Sequence, residues 1–446
     1  MSRLGPIEIV KEIIRQNENH PPLYYVLMHY WVMVFGDGEF ASRLLPALSG
    51  SFSVLLIYKF GKELFNKNTG LLAALIMAIS VFQIEYSQEA RTYALIVLLS
   101  LLSNYFFFRL LSAPKLKYVL GYILAGAVLI YDHYYWVFYI AAQNIYVFTK
   151  LILDRRGEWP AFKRWIVLQL ILAVVSLPEL MMLRGADAVH EGYWLARPNL
   201  YTIRGTLLQF SGSIPLLILF FVLSVYAVIS AFGANLKGTL KEWFSGAVRL
   251  TQDSPFSNKI DRLYFLIVLL FTPVILPFIV SLTFSPVYNV RYTIGASSIL
   301  FILVAAGIDN LRFKKLKVFA VVLIACLSLV QVYRYYESVD KHQWREAVHY
   351  IEEKASPGDI VMVYPDFEFR SLEYYLNRKD LRTMVLPPQK PNLDFGLNGG
   401  KAWVISSYQG DQYNAVDEDS LKQHNKLLSE KDYKKIKIYL LTGESE

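Results

Sequence analysis

A single cysteine, Cys326, in 446 residues excludes any intrachain disulfide. Its place in the apolar run from Val318 to Val330 makes a buried thiol the expected state. Charge is scarce too: 18% of residues are charged, against 54% hydrophobic and 15% aromatic, and the mean hydropathy is +0.33. Such poverty of charge excludes a disordered chain or an ordinary soluble globule and marks an integral membrane protein. The polar C-terminal part has no glycine-rich phosphate loop, which argues against a soluble nucleotide site. From Met1 to Phe40 no uninterrupted apolar stretch precedes a small-residue cleavage site, so no removable signal peptide is read there. The net charge of +8 is dispersed in short clusters between apolar spans, a pattern of membrane topology and not of nucleic-acid binding.

What is present is a series of apolar segments near 42–64, 70–86, 92–110, 118–134, 135–152, 165–183, 214–232, 263–283, 292–309 and 317–333. Each approaches the roughly 20 residues that cross a bilayer as a helix. Alternate connections are basic: Lys59, Lys62 and Lys67; Arg109, Lys115 and Lys117; Lys150, Arg155, Arg156, Lys163 and Arg164; Lys237, Lys241, Arg249, Lys259 and Arg262; Arg312, Lys314, Lys315 and Lys317. The intervening connections hold only Arg91, Arg184, Arg197, Arg204 and Arg291, so the basic set is assigned to the cytoplasm. About ten spans in the plasma (inner) membrane then leave both ends of the chain outside.

Residues 1–40 are read as helices on the outer surface. Ile7 to Ile14 follows Gly5-Pro6 with Ile7, Val10, Ile13 and Ile14 on one face, and Leu23 to Phe35 is apolar but short for a span. Residues 41–336 form the bundle. Residues 337–446 change texture to a small extracytoplasmic α/β domain. Helices are expected over Trp344–Lys354 and Arg370–Leu376, strands over Asp359–Tyr364, Thr383–Leu386, Ala402–Ser406 and Ile436–Leu441, and a polar helix near 419–430.

Polar residues interrupt the apolar texture at a few places, all in outer connections. Glu85-Tyr-Ser-Gln-Glu-Ala-Arg-Thr-Tyr93 separates the apolar runs Leu71–Ile84 and Ala94–Leu102. Charges at the edge of hydrocarbon are costly, so Glu89 and Arg91 are candidates for a site, against the alternative of an ion pair tying two helix ends. Asp132-His133 lies in a tight hairpin among Tyr131, Tyr134, Tyr135 and Trp136, where an interfacial aromatic belt explains the rings but not the acid and imidazole. Arg291, flanked by Tyr288 and Tyr292, is the basic residue of its connection and can grip a phosphate with two parallel hydrogen bonds, or else reach lipid headgroups. His20 is held extended by the two prolines after it.

In order along the chain stand His20-Pro-Pro-Leu-Tyr-Tyr25, Tyr86-Ser-Gln-Glu-Ala-Arg-Thr-Tyr93, Asp132-His-Tyr-Tyr135 and Pro286-Val-Tyr-Asn-Val-Arg-Tyr292. This ordered set resembles the bacterial glycosyltransferase superfamily C proteins of the family 39 type, relatives of protein O-mannosyltransferases and of the lipid A aminoarabinose transferase. Asp340 to Ala347 resembles the start of the extracytoplasmic domain that many members carry. The resemblance implies an enzyme that takes a sugar from a polyprenyl-phosphate carrier and passes it to a lipid, glycan or protein acceptor outside. Such chemistry needs a carboxylate to deprotonate the acceptor and cationic donors to stabilise the departing phosphate. By that resemblance Glu89 is the catalytic candidate, and His20, Arg91, Arg291 and Tyr292 would bind the lipid phosphate. Glu18, Asp132 and His133 would serve the site or a divalent metal.

In the family the catalytic acid, often Asp-Glu, follows a first transmembrane helix that lies upstream of the surface helices. A further helix and acid are therefore expected before Met1. Glu8 and Glu12 match no family motif and are assigned to the polar face of a surface helix. A transporter or lipid flippase would show internal repeats and broken helices at the bilayer midplane, and no such repeat is found. A non-catalytic scaffold on the same fold is the remaining alternative.

Overall fold

The computed structural model describes residues 4–15, 20–153, 159–185, 195–233, 256, 259–337, 342–386, 400–407, 421 and 425–443. The chain divides into two compact units, Met1–Arg334 and Tyr335–Glu446.

The first unit is helical: α1 Pro6–Arg15, α2 Leu23–Phe35, α3 Glu39–Leu64, α4 Lys67–Ala78, α5 Val81–Ser87, α6 Tyr93–Ser112, α7 Leu116–Asp132, α8 Trp136–Leu153, α9 Trp159–Gly185, α10 Leu200–Ser211, α11 Ile214–Gly233, α12 Lys259–Thr283, α13 Ile294–Asn310 and α14 Lys314–Glu337. Every expected apolar segment is helical. Among the described residues seven helices are long and apolar enough to cross a membrane, and α4 with α5 makes an eighth if the bent pair counts as one span. That pair bends by 62° where Ser80 interrupts the apolar run and its side chain accepts a hydrogen bond from Gln83 N, restarting the helix. Helices α7 and α8, of 17 and 18 residues, are at the short end of what crosses a bilayer.

Burial sorts the helices. In α13 every residue from Ile294 to Ile308 is buried, as an all-round apolar helix at the centre of a bundle must be. Helix α14 buries only Ala320, Ile324 and Ser328, and on its outer face Cys326 is exposed, contrary to the buried thiol expected. A lipid-facing apolar run and a core one read alike because lipid and protein interior are equally apolar. Helix α1 also departs from expectation. It buries Ile9 and Ile13, one turn apart, and leaves Ile7 and Ile14 exposed. Glu8 accepts a hydrogen bond from the amide of Gly5, and Glu12 pairs with Arg15. Helix α2 buries Tyr24 and Met28, and its Trp31 donates to the Ala41 carbonyl at 2.8 Å, tying it to α3.

Close helix contacts rest on small residues. A Cβ at Gly307 of α13 would lie 2.1 Å from the Leu223 carbonyl oxygen of α11, so only glycine permits that approach. Inside the bundle Gln143 of α8 donates to Ser103 and Asn104 of α6 and accepts from Tyr122 of α7, whose hydroxyl accepts in turn from Gln169 of α9. Four helices are thus joined by a chain of satisfied polar groups, which an apolar surrounding makes costly to break.

Polar contacts also show which helix ends lie together. Arg109 pairs with Glu63 at 2.8 Å, Lys150 with Asp261 at 2.9 Å, Arg262 donates to the Leu64 carbonyl, and Asn66 donates to Asp309. The described basic connections are therefore at one end of the bundle. The start of α6, the α7–α8 hairpin and the start of α13 are at the other.

The second unit contains α15 Trp344–Lys354, β1 Ile360–Tyr364, α16 Phe369–Tyr375, β2 Arg382–Val385, β3 Lys401–Ser407, β4 Asn425–Tyr433 and β5 Ile436–Gly443. The sheet order is β2-β1-β3-β5-β4, with β1 parallel to β2 and β3, and β5 antiparallel to β3 and β4. Trp403 on β3 donates to Asp359 at 3.0 Å, satisfying a buried indole. Of the polar helix expected near 419–430, Leu421 is helical, but residues 425–430 belong to β4. A turn at Lys434-Lys435, where Lys435 takes φ 58°, returns the chain as β5. β4 is an edge strand with mostly exposed side chains, so it lacks the apolar alternation that marks a strand in sequence. Residues 338–341 and most of 419–424 lie outside the described residues.

Candidate active site

Three chain segments meet at the end of the bundle opposite the basic connections. The first is the hairpin between α7 and α8. Its tip is covered by protein, and Asp132 and His133 are buried. The Asp132 Oδ1 accepts from the Thr92 hydroxyl at 2.5 Å, while Oδ2 has no hydrogen-bond partner among the described residues. His133 Nδ1 accepts from the Tyr135 amide at 3.1 Å, which leaves its buried Nε2 unpartnered.

The second segment is the turn Val290–Thr293 that starts α13. Asn289 caps it by accepting from the Arg291 amide at 3.1 Å, and Ser281 accepts from the amides of Val287 and Tyr288 at 2.9 and 2.8 Å. Tyr139 of α8 donates to the Tyr292 carbonyl at 2.8 Å, so the backbone under the ring is fixed. The buried Tyr292 ring stands 4.5 Å from that of His133, 5.3 Å from that of Tyr135 and 6.3 Å from that of Tyr93.

The third segment runs from Glu85 to Tyr93 between α5 and α6. Arg91 and Arg291, far apart in sequence, both lie close enough to Tyr93 for their guanidinium groups to interact with it. Glu89 Oε1 pairs with Arg91 Nε at 3.9 Å, and with about a third of the Glu89 side chain exposed such a pair adds little stability. Tyr86 packs on Tyr93 at 5.1 Å. Glu85 is exposed.

His20, at the entry to α2, completes the cluster. Its ring is 5.1 Å from that of His133 and 6.1 Å from that of Tyr292, and its Nδ1 is buried without a partner. Burial first, and then the guanidinium charges of Arg91 and Arg291, hold this imidazole down at about 4. It is a neutral group at physiological pH.

The structure thus gathers His20, Glu89, Arg91, Asp132, His133, Arg291 and Tyr292 in one place. Glu18 lies outside the described residues. Sequence reasoning passed over Thr92, which ties the first and third segments, Tyr139 beneath Tyr292, and Tyr24, whose hydroxyl is buried near Asp132. It also missed Glu179 of α9, a buried carboxylate with no partner among the described residues. Only Glu179 carried a readable signal, as an acid after Pro178 in an apolar run. Among the described residues no group of three or more His, Cys, Asp and Glu side chains that could hold a metal is assembled. Chemically, the arrangement offers two permanent cations for an anion, a solvent-accessible carboxylate beside them, and a wall of aromatic rings and neutral imidazoles.

Residues 19–181 match the family of dolichyl-phosphate-mannose-protein mannosyltransferases. YkcB of Bacillus subtilis (strain 168), provisionally named a mannosyltransferase, is 29% identical over 101 residues, a match covering 23% of this chain and 14% of that relative. The crystal structure of ArnT from Cupriavidus metallidurans in the apo state superposes with a TM-score of 0.56 at 12% identity, covering 98% of this chain and 92% of that one. The same protein bound to undecaprenyl phosphate gives 0.56 at 13% identity. The family match spans His20, Glu89, Arg91, Asp132 and His133 but neither Glu18 nor the Val290–Thr293 turn, and the fold shared with ArnT extends over nearly the whole chain.

Proposed function

We propose that this protein is a membrane glycosyltransferase that takes a sugar from a polyprenyl-phosphate carrier and transfers it to a lipid, glycan or protein acceptor on the extracytoplasmic face. The observation that carries the reading is the convergence of Arg91 and Arg291 on Tyr93, beside an accessible Glu89 and the neutral pair His20 and His133. Two guanidinium groups at one point suit the phosphate that leaves as the bond to the sugar breaks, because its negative charge grows in the transition state. Glu89, open to an entering acceptor, takes the hydroxyl proton as that oxygen attacks the anomeric carbon. Tyr292, Tyr93 and the imidazoles form the wall against which the sugar is held. The undecaprenyl phosphate bound by ArnT supports the carrier class. The basic end of the bundle faces the cytoplasm in this reading. The α/β unit is then extracytoplasmic and serves acceptor recognition, since its sequence has no nucleotide loop.

The test is release of polyprenyl phosphate from a panel of polyprenyl-phosphate sugars by the protein in lipid nanodiscs. Sugar-dependent release that falls on changing Glu89 to Gln is expected. No carrier binding and no release with any donor, for a well-folded sample, overturns the proposal.

A further inference from the structure

A second site is built at the other end of the bundle. A cavity of about 310 Å³ is lined by Phe65, Asn66, Thr69, Lys259, Arg262, Ala306, Asp309 and Asn310, where α3, α4, α12 and α13 terminate. Helix α13 begins at the candidate active site and ends here, so the two places are separated by its 17 residues.

The charges are arranged unequally. The one acid, Asp309, is already committed: Asn66 Nδ2 donates to it at 2.6 Å and Thr69 Oγ1 at 3.3 Å, and Lys317 Nζ pairs with it at 3.5 Å. The two cations of the lining have neutral partners instead. Lys259 donates to the Asn310 side-chain carbonyl, and Arg262 to the backbone carbonyls of Leu64 and Phe256, each at 2.8 Å. Hydrogen bonds to neutral oxygens orient these groups without cancelling their charge, and among the described residues neither makes an ion pair. The mouth therefore presents two oriented cations, neither in an ion pair among the described residues, beside the apolar walls of Phe65 and Ala306.

We propose that this cavity binds the phosphodiester headgroup of an anionic phospholipid from the leaflet at the basic end. Basic pockets between transmembrane helices at such ends suit anionic headgroups, with Lys and Arg on the phosphate and the acyl chains running along the helix surface. The occupant is separate from the carrier lipid, whose phosphate would sit at the opposite end of α13. The proposal does not depend on which sugar is transferred.

The experiment is native mass spectrometry of the full chain released from detergent, with added phosphatidylglycerol, phosphatidylcholine or inorganic phosphate as the probe. Phosphatidylglycerol should bind at least severalfold more tightly than phosphatidylcholine. Lys259→Ala should weaken phosphatidylglycerol about fivefold, the effect of one basic residue near an anionic surface. Lys259→Arg should restore it, and Lys315→Ala, at an exposed lysine outside the lining, should leave it unchanged. Thermal melting of each variant separates lost binding from lost folding. Equal phosphatidylglycerol binding by wild type and a folded Lys259→Ala protein overturns the proposal. So does binding of inorganic phosphate without phosphatidylglycerol, which would assign the cavity to a soluble anion.

Discussion

Replacing Arg291 by alanine removes one of the two guanidinium groups that come together at Tyr93, and leaves Arg91 and Glu89 in place. The Val290–Thr293 turn should survive, because its cap is made by the Arg291 amide on Asn289 and the backbone beneath Tyr292 is held by Tyr139. The loss is therefore confined to charge stabilisation of the departing phosphate. One such donor in a preorganised site contributes about 3–4 kcal/mol, so turnover should fall by roughly 10² to 10³. Arg291→Lys keeps the charge but not the planar fork, and should recover all but about tenfold. Because Arg91 addresses the same point, the double alanine variant should lose less than the product of the single losses, with a coupling on the order of 1 kcal/mol. Single-turnover release of polyprenyl phosphate, measured with the protein in nanodiscs, reads the wild type, both single alanine variants, Arg291→Lys and the double variant. Wild-type release by a folded Arg291→Ala variant would refute the phosphate assignment, and strictly multiplicative losses would refute a shared ligand.

Gly307→Ala forces a methyl to within 2.1 Å of the Leu223 carbonyl and should destabilise the bundle by about 1–3 kcal/mol in detergent melting. Gly205→Ala, with open space around it, should not, and equal melting of the two would contradict the close approach of α11 and α13. His20 takes up a proton near pH 6.5 in the unfolded chain but only near pH 4 when folded, so stability should decline as pH falls from 6.5 to 4 and then level off. His20→Gln should flatten that decline, and an unaltered pH profile of melting would show that His20 is not its source. On a Cys326→Ser background, Lys62→Cys should react with an impermeant thiol reagent only after lysis and Ser429→Cys in intact cells; the reverse pattern would invert the proposed topology.

Much of this protein was legible in one dimension. A run of some 20 apolar residues has one low-energy state in hydrocarbon, a helix, because lipid offers the backbone no hydrogen bonds. The apolar segments therefore became helices wherever they were long, and the buried strands β1 and β3 announced themselves by continuous apolar texture. The polar interruptions at Glu85–Tyr93, Asp132-His133 and Arg291 were conspicuous for the same reason, since charge at such depth needs a purpose. Which face of an apolar helix meets protein and which meets lipid was not written there: Cys326 and the Ile7 face of α1 point outward because chemically alike surroundings leave no mark on sequence. Nor was β4, whose exposed side chains make it a strand only through pairing with β5. Sequence supplied the arginines, imidazoles and acids separately. Only the tertiary structure decided that Arg91 and Arg291, two hundred residues apart, come together at one tyrosine, because the turn before α13 packs its Tyr292 against both Tyr93 and the His133 of the α7–α8 hairpin, and Thr92 binds Asp132 of that hairpin.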